Sequence, residues 1–251
     1  MPAITTPAII LVTFRYGESS KIVRLATESA GVQSAIAKGA LRPRSRFGAA
    51  LQILSDGHAH LIVHANRELQ LLTAFDLQRV RVDLAAGMER YSAASALAEV
   101  MLRFAPGEGH AESYHVLRDG LDALETASAG EVEELGLRAL WSLVGSLGFE
   151  PTLDGCVLCG RELGESELLF DAREGGALCP PCGKVGATRL GQEDRSHLEA
   201  LIVPGSPLPQ LTAKQAAAHR RLLARYIQHH LGEGAAMPAL EFWIRRPWGA
   251  A

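Results

Sequence analysis

The pattern of hydrophobic and polar positions changes once along the chain, near residue 80. Before that point, short apolar runs are separated by turn residues such as glycine and asparagine, which is typical of β-strands. Strands are predicted over 9–14, 21–27, 31–38, 51–54, 59–65 and 69–75. So many short strands favour a small barrel, because a single sheet of this size would expose its edges. A five-stranded OB-fold barrel is the first candidate, although an SH3-like barrel also fits the strand count.

Beyond residue 80, apolar residues recur at spacings of three and four, which predicts helices. Helices are predicted over 82–104, 112–126, 131–147, 194–201 and 212–231, the last with Thr212 as its N-cap. The fold class is therefore α+β with more than one domain. We predict an N-terminal β-barrel domain over 1–80 and an α-helical C-terminal domain over 81–251.

Charge separates the same two regions. The whole chain carries 25 basic and 28 acidic residues, and its net charge of −3 argues against a polyanionic partner. Residues 1–80, however, hold nine basic and five acidic residues, so the barrel carries +4 and the remainder carries −7. Such an asymmetry indicates either a polyanion that binds the barrel or a chance difference between two solvated surfaces.

No targeting or membrane segment is visible in the sequence. The first residues lack the basic stretch of a signal peptide, and the apolar run over 8–12 is far too short to cross a bilayer. We therefore expect a soluble cytoplasmic protein that does not bind membranes. In a reducing cytosol, four cysteines indicate metal or redox chemistry rather than two disulfides.

The four cysteines form two C-x-x-C pairs, Cys156 with Cys159 and Cys179 with Cys182, separated by nineteen residues. Each pair can close a tight turn and present two thiolates to one Zn²⁺ ion, whose structural sites take four tetrahedral ligands. We predict one structural zinc ion in a zinc-binding element over 152–187; a redox pair or an iron–sulfur cluster is the alternative. A site with four cysteine ligands has no open position, so we expect it to hold loops and perform no chemistry.

A second candidate site is a basic loop, residues 38–46, in the strand-rich region. It holds four cations in nine residues, and no acidic residue occurs between Glu28 and Asp56. Cations beside small residues suit phosphate contacts, although a solvated basic loop explains the composition equally well. Phe47, which follows the loop, fits either the core or a platform for base stacking. With cations from neighbouring strands, the candidate nucleic-acid-contacting residues are Arg15, Lys21, Arg24, Lys38, Arg42, Arg44 and Arg46.

Motifs of catalysis are absent from the sequence. The chain has no G-x-S-x-G elbow, no Walker loop and no H-E-x-x-H, and the two pairs use all its cysteines. The carboxylates over 131–134 lie in the first turn of a predicted helix, where acidic residues complement the helix dipole. We therefore expect a protein that is not an enzyme.

Two series of residues resemble the bacterial recombination mediator family RecO. The N-terminal series is Tyr-Gly-Glu-Ser-Ser-Lys-Ile-Val (16–23), Ala-Lys-Gly-Ala (37–40) and Arg-Ser (44–45). The C-terminal series is Leu-Gly-Phe-Glu-Pro (147–151) and Gly-Gly (175–176), which flank the cysteine pairs as in zinc-bearing members of the family. The series occur in the family's order and cover most of the chain, so they are jointly specific.

The resemblance implies an N-terminal OB-fold barrel, a helical C-terminal domain with an inserted zinc-binding element, and a non-enzymatic role in recombinational DNA repair. RecO-like proteins bind single- and double-stranded DNA, anneal complementary strands and, with RecR, promote RecA loading onto DNA coated by single-strand-binding protein. The implied location is the bacterial cytoplasm, at the nucleoid. A cationic barrel groove that follows a phosphate backbone suits this role, and annealing forms no covalent bond, so it needs no active site.

The resemblance also implies that the acidic C-terminal tail of single-strand-binding protein binds the helical domain. Arg221 and Arg225 lie four apart on one face of the last predicted helix and offer a cationic rim. An ordinary amphipathic helix explains these two arginines equally well. The neighbouring apolar residues expected to form the floor of such a site are Leu222, Leu223 and Tyr226.

Two features depart from the family pattern. The segment 237–248 replaces the family's usual small and basic ending, so its docking is left open. Zinc is not universal among RecO-like proteins, which favours a structural role for the metal. The alternative function is a zinc-ribbon adaptor whose barrel binds a protein partner instead of DNA. A metal hydrolase is a third class, which requires an open coordination position.

Overall fold

The computed structural model describes residues 3–64, 66–105, 107, 109–164, 167–232, 234 and 236–248. Its N-terminal region is a closed five-stranded barrel in which the strand order around the barrel is β1-β2-β3-β5-β4. The β3–β5 pair is parallel and the others are antiparallel, with β4 pairing β1 to close the barrel. This order is that of an OB-fold, as predicted. The strands are β1 (Ala3–Tyr16), β2 (Ser20–Thr27), β3 (Gly31–Ala37), β4 (Asp56–Ile62) and β5 (Leu69–Arg79).

Inward-facing aliphatic residues fill the barrel. Ile10, Val23, Leu25 and Leu72 are fully buried there, and Phe47 packs with them at 2% exposure. Phe47 is therefore a core residue, and its interpretation as a stacking platform is wrong.

The strand predicted over 51–54 is also wrong. These residues form a turn before β4, and Leu54 has a positive φ of 64°, which no strand residue adopts. Leu51 and Leu54 are buried, so the apolar character of this segment reflects packing rather than strand pairing. The strand predicted over 59–65 ends at Ile62 in the structure, and Ala65 lies outside the described residues.

The remainder of the chain is mainly helical. A short 3₁₀ helix (Val82–Ala86) precedes the first α-helix, and the segment predicted as one helix over 82–104 is divided at Gly87, whose backbone is extended. Thr212 caps the fifth α-helix as predicted, because its hydroxyl accepts the backbone N–H of Gln215. The helices are α1 (Met88–Phe104), α2 (Ala111–Thr126), α3 (Val132–Ser146), α4 (Gln192–Ile202), α5 (Ala213–His230) and α6 (Pro238–Arg245).

The helices share a second core that also receives residues from the barrel. Trp141 and Tyr226 are its largest fully buried side chains, and Ile9 and Ala26 enter it from β1 and β2. The two regions are thus packed together through one side of the barrel. Among the described residues, no helix is both long and apolar enough to cross a membrane.

The segment 237–248 contains helix α6, which docks it onto the other helices. It packs against α1 and buries Trp243 at 2% exposure. The carboxylate of Glu99 on α1 accepts the backbone N–H groups of Ala239 and Leu240, each at 3.0 Å. These two groups are among the donors that the first turn of a helix leaves unpaired, so α1 caps α6 directly.

A small three-stranded sheet is inserted between α3 and α4. Its strands are β6 (Leu168–Asp171), β7 (Gly176–Leu178) and β8 (Thr188–Leu190), in the order β7-β6-β8. All strands pair antiparallel, and a 3₁₀ turn (Pro180–Cys182) follows β7. This insertion carries the cysteine pairs.

Candidate functional site

The structure brings the two cysteine pairs together beside β7. The sulfur atoms of Cys156, Cys159, Cys179 and Cys182 all lie within 4.8 Å of one another, and those of Cys159 and Cys179 are 3.7 Å apart. Four sulfurs bound to Zn²⁺ at about 2.3 Å form a tetrahedron with edges of about 3.8 Å. The donor set and its spacing therefore fit one zinc ion held by these four residues.

Backbone groups around the cluster favour thiolates. Backbone N–H groups of Cys179, Leu158 and Cys159 donate to the Cys156 sulfur and lower the pKa of Cys156 to about 6. The pKa of Cys182 is raised to about 12, because its thiol hydrogen-bonds with the sulfurs of Cys179 and Cys159. Cysteines bind a metal as thiolates, so a divalent cation at this cluster would displace thiol protons.

The turns after the cysteine pairs need glycine. Gly160 has a φ of +71°, and its N–H donates to the carbonyl of Cys156 at 2.8 Å. A Cβ at Gly183 would lie 2.5 Å from the Leu169 side chain. A side chain at Gly160 would strain the first turn, so that turn depends on glycine, whereas a side chain at Gly183 would require Leu169 to move.

The basic loop presents its cations to solvent. Lys38, Arg42, Arg44 and Arg46 are all exposed, and among the described residues none of them forms an ion pair with an acidic side chain. Two contacts hold the loop against the barrel. The N–H of Leu41 donates to the Ser19 carbonyl at 2.8 Å, and Phe47, which follows the loop, is buried in the barrel core. Its cations are therefore held on an ordered segment and remain available to a polyanion.

Two more predicted cations lie at the same end of the barrel. Arg15 on β1 is the direct cross-strand partner of Lys21 on β2. Lys21 in turn is paired with Ala37 on β3, the residue before Lys38. Arg15 and Lys21 thus form a short cationic row across β1 and β2, and Lys38 begins the basic loop at the end of the neighbouring β3.

Arg24 is placed differently from the other predicted cations. Its guanidinium donates to the carbonyl of Leu102 in the last turn of α1, at 3.2 Å. Burial, together with nearby Arg103, lowers the pKa of Arg24. A cation at this position complements the carbonyl end of the helix and links the barrel to α1. The geometry therefore supports a structural contact for Arg24 rather than a place in the cationic row.

Sequence reasoning missed two exposed aromatic residues on β1. Phe14 and Tyr16 alternate with Arg15 along β1, and both side chains are 52% exposed. Phe14 pairs with Ile22 on β2, which pairs with Ile36 on β3, so an apolar strip crosses the outer face of the barrel. The available signal was aromatic residues at alternate strand positions next to cations. Alternation places both rings on the face of β1 opposite to Arg15, and exposed aromatic rings on such a face suit stacking of nucleic-acid bases.

Arg221 and Arg225 line a groove between α5 and α6. The groove has a volume of about 500 Å³, and Ile244 and Arg245 line it from α6. The Arg225 guanidinium also donates to the Thr188 hydroxyl at 2.9 Å. The predicted apolar floor is wrong, because its three members lie in the helical core: Leu222, Leu223 and Tyr226.

Together these features define a class of protein: an OB-fold barrel with an unpaired cationic row, joined to a helical region that carries a four-cysteine element. The chain belongs to the recombination protein O (RecO) family. The family profile described as "Recombination protein O N terminal" matches residues 1–81, and that described as "Recombination protein O C terminal" matches residues 86–236. The family predicted from the sequence is thus confirmed.

Curated relatives agree over most of the chain. A protein of Anaeromyxobacter sp. (strain Fw109-5), named DNA repair protein RecO, is 33% identical over 244 residues, which is 91% of each chain. A protein of the same name from Desulfatibacillum aliphaticivorans is 32% identical over 250 residues, covering 93% of this chain and 94% of the relative. A third, from Rubrobacter xylanophilus, is 33% identical over 177 residues, 69% of each chain. These matches place the chain in a DNA-repair family.

Proposed function

We propose that this protein is a non-enzymatic recombination mediator in DNA repair. It binds single- and double-stranded DNA, anneals complementary strands and, with RecR, promotes RecA loading onto single-stranded DNA coated by single-strand-binding protein. It acts in the bacterial cytoplasm, at the nucleoid. The observation that carries the proposal is the row of unpaired cations on an OB-fold barrel, in a chain that belongs to the RecO family.

In this proposal the barrel over 1–80 is the DNA-binding domain. Arg15, Lys21 and Lys38, with the basic loop, contact phosphates without regard to sequence, because a phosphate backbone offers the same charge at every step. Phe14 and Tyr16 stack on bases of a single strand. Annealing requires two strands to lie side by side, and the cations lower their mutual repulsion without forming any bond.

The region over 81–251 supports the barrel and binds proteins. One structural Zn²⁺ ion, held by Cys156, Cys159, Cys179 and Cys182, ties the loops of the element over 152–187 together. The groove between α5 and α6 receives the acidic C-terminal tail of single-strand-binding protein. Arg221 and Arg225 match the charge of that tail, whereas Arg245 on the same groove is paired with Glu241; Ile244 offers an apolar contact.

The DNA-binding part is tested by the salt dependence of binding to labelled single-stranded DNA between about 50 and 200 mM salt. Arg42, Arg44 and Arg46 changed together to Ala are expected to weaken binding and reduce the slope of log K against log salt by about 2, since each phosphate contact contributes about 0.7. The matched control changes three exposed arginines of the helical region, Arg161, Arg173 and Arg189, to Ala. Equal slopes for the two triple variants would refute the assignment of the loop.

The mediator activity is tested by annealing of complementary strands coated with the cognate single-strand-binding protein. The wild-type protein should anneal them, and the loop variant should anneal them more slowly while keeping its fold by circular dichroism. Arg221 and Arg225 changed to Ala should slow annealing of coated strands but not of bare strands, because only the coated strands present the acidic tail. A wild-type protein that binds DNA without any salt dependence, or leaves coated strands apart, contradicts the proposal.

A further inference from the structure

A second cluster of metal-ligating side chains lies where α4 and α5 meet. Asp194 and His197 are three residues apart near the start of α4, so they share one face of that helix. His219 faces them from α5. One ligand atom from each of the three residues lies within 4.8 Å of the others. The four cysteines contribute nothing to this cluster, so it is separate from the site described above.

Three buried ring nitrogens of this cluster have no hydrogen-bond partner within the described part of the chain. His219 is 2% exposed, and neither of its ring nitrogens has a partner among the described residues. The buried Nδ1 of His197 is unpaired in the same sense, and the two rings meet edge to face with centroids 6.3 Å apart. Leaving a buried polar group without a partner is unfavourable, and an unpartnered imidazole nitrogen can bind a metal ion instead.

We propose that Asp194, His197 and His219 bind one divalent transition-metal ion of the zinc class. Imidazole nitrogens with a carboxylate oxygen suit Zn²⁺ and its neighbours, whereas Mg²⁺ and Ca²⁺ prefer sites made only of oxygen. Three protein ligands leave one tetrahedral position for water or an external donor. Asp194 and His197 are only half-buried, so the position can be reached from solvent.

A metal at this position would tie α4 to α5. Helix α4 begins two residues after β8, the last strand of the cysteine-bearing insertion, and α5 lines the groove between α5 and α6. The ion would therefore fix the insertion relative to the helix that carries Arg221 and Arg225. Binding to the folded state alone also raises thermal stability as the metal concentration rises.

The test is calorimetric titration of Zn²⁺ into the full-length protein after its cysteine site is filled and one Zn per chain is measured. The wild-type protein should bind a further equivalent, and His197→Gln and Asp194→Asn should lose it. These two residues are half-buried, so their variants are expected to fold, which circular dichroism checks. His229→Gln, an exposed histidine on the same helix as His219, is the matched control and should keep the second equivalent.

Co²⁺ distinguishes the two sites, because only thiolate ligands give a sulfur-to-cobalt charge-transfer band. The first equivalent of Co²⁺ added to metal-free protein should produce that band, and the second should leave it unchanged. Added Zn²⁺ should raise the melting temperature of the wild-type protein above that of His197→Gln. The proposal is overturned if no further equivalent binds, or if His197→Gln and Asp194→Asn bind it as tightly as the wild-type protein.

Discussion

The arginines of the basic loop and two buried arginines of the helical region, Arg81 and Arg220, have opposite surroundings. Arg42, Arg44 and Arg46 are exposed and, within the described chain, have no acidic partner. Arg81, just after the barrel, is fully buried between three carboxylates, and Arg220 on α5 is paired with Glu133. The same residue type therefore holds the structure together in one region and stays free for a polyanion in the other.

The difference explains why net charge is a poor guide to the partners of this protein. Acidic residues of the helical region neutralise arginines that are already engaged, such as Arg246 with Glu89 and Glu133. These acidic residues belong to the helical region and form no ion pair with the exposed cations of the basic loop among the described residues. A field at a particular surface depends on which charges remain unpaired there, and the overall value of −3 hides this.

The largest loss of stability is expected when the cysteine cluster is changed. The barrel has no equivalent of this cluster. Cys159→Ser should release the zinc and lower the free energy of unfolding by about 5 kcal/mol or more, because a structural zinc site contributes its binding energy to folding. Cys159 is exposed, so the substitution removes a ligand and little packing. Metal analysis and urea unfolding measure the effect.

Chelation of the wild-type protein is the control for this variant and should reproduce its loss of stability. The salt slope of DNA binding should stay the same, since we propose that the barrel supplies the phosphate contacts. A variant as stable as the wild-type protein, or wild-type protein with well under one zinc per chain, would contradict the structural role.

The next effect compares a paired arginine with a free one. Arg81→Ala should cost about 3 kcal/mol of stability, the lower end for breaking a buried ion pair, because Asp56 and Glu125 lose a buried cation while Arg79 still pairs with them. The matched change Arg44→Ala should cost within about 0.5 kcal/mol, as expected at an exposed site without contacts. Urea unfolding of both variants checks the contrast. Similar losses of stability in the two variants would show that the buried, paired arginine contributes no more to folding than the exposed one.

A smaller effect, on the affinity for DNA, is expected from Phe14 in the apolar strip on the barrel. Phe14→Ala should weaken binding of single-stranded DNA by about 1–3 kcal/mol, the contribution of stacking one base on an aromatic ring. Its stability should change little, because half of the ring is exposed. Phe242→Ala, at a partly exposed phenylalanine on α6, is the control and should leave DNA affinity unchanged. Fluorescence anisotropy with a labelled strand measures both, and equal affinities would remove Phe14 from the interface.

The sequence predicted the elements that local chemistry specifies and missed those that depend on tertiary contacts. The cysteine spacing identified all four clustered residues, because a C-x-x-C pair requires only a local turn. The strand predicted over 51–54 failed, since a buried turn and a strand have the same apolar composition. Helix α6 was missed because Glu99, far away in sequence, caps it. The distinct position of Arg24 likewise depends on α1, which strand periodicity cannot indicate.

The smallest effect is the pH dependence of the cluster around Arg81. Partial burial opposes ionisation of Asp122, but hydrogen bonds from Arg81 and Arg79 outweigh it and lower the pKa of Asp122 below its ordinary value. A carboxyl group whose pKa is lower in the folded protein stabilises the fold at pH values above its pKa in the unfolded chain, about 3.9. This stabilisation is lost as the pH falls through the pKa of the group in the folded protein.

Urea unfolding between about pH 5 and pH 2 should therefore show a steeper loss for the wild-type protein than for Asp122→Asn. The difference should stay below about 1 kcal/mol, because the Asp122 side chain is 41% exposed and solvent screens its ion pairs. Arg44→Ala should follow the wild-type curve, since Arg44 has no carboxylate partner among the described residues. If the free energy of unfolding fell equally with pH in the wild-type protein and in Asp122→Asn, the ion pairs of Asp122 with Arg79 and Arg81 would make no contribution to stability that depends on pH.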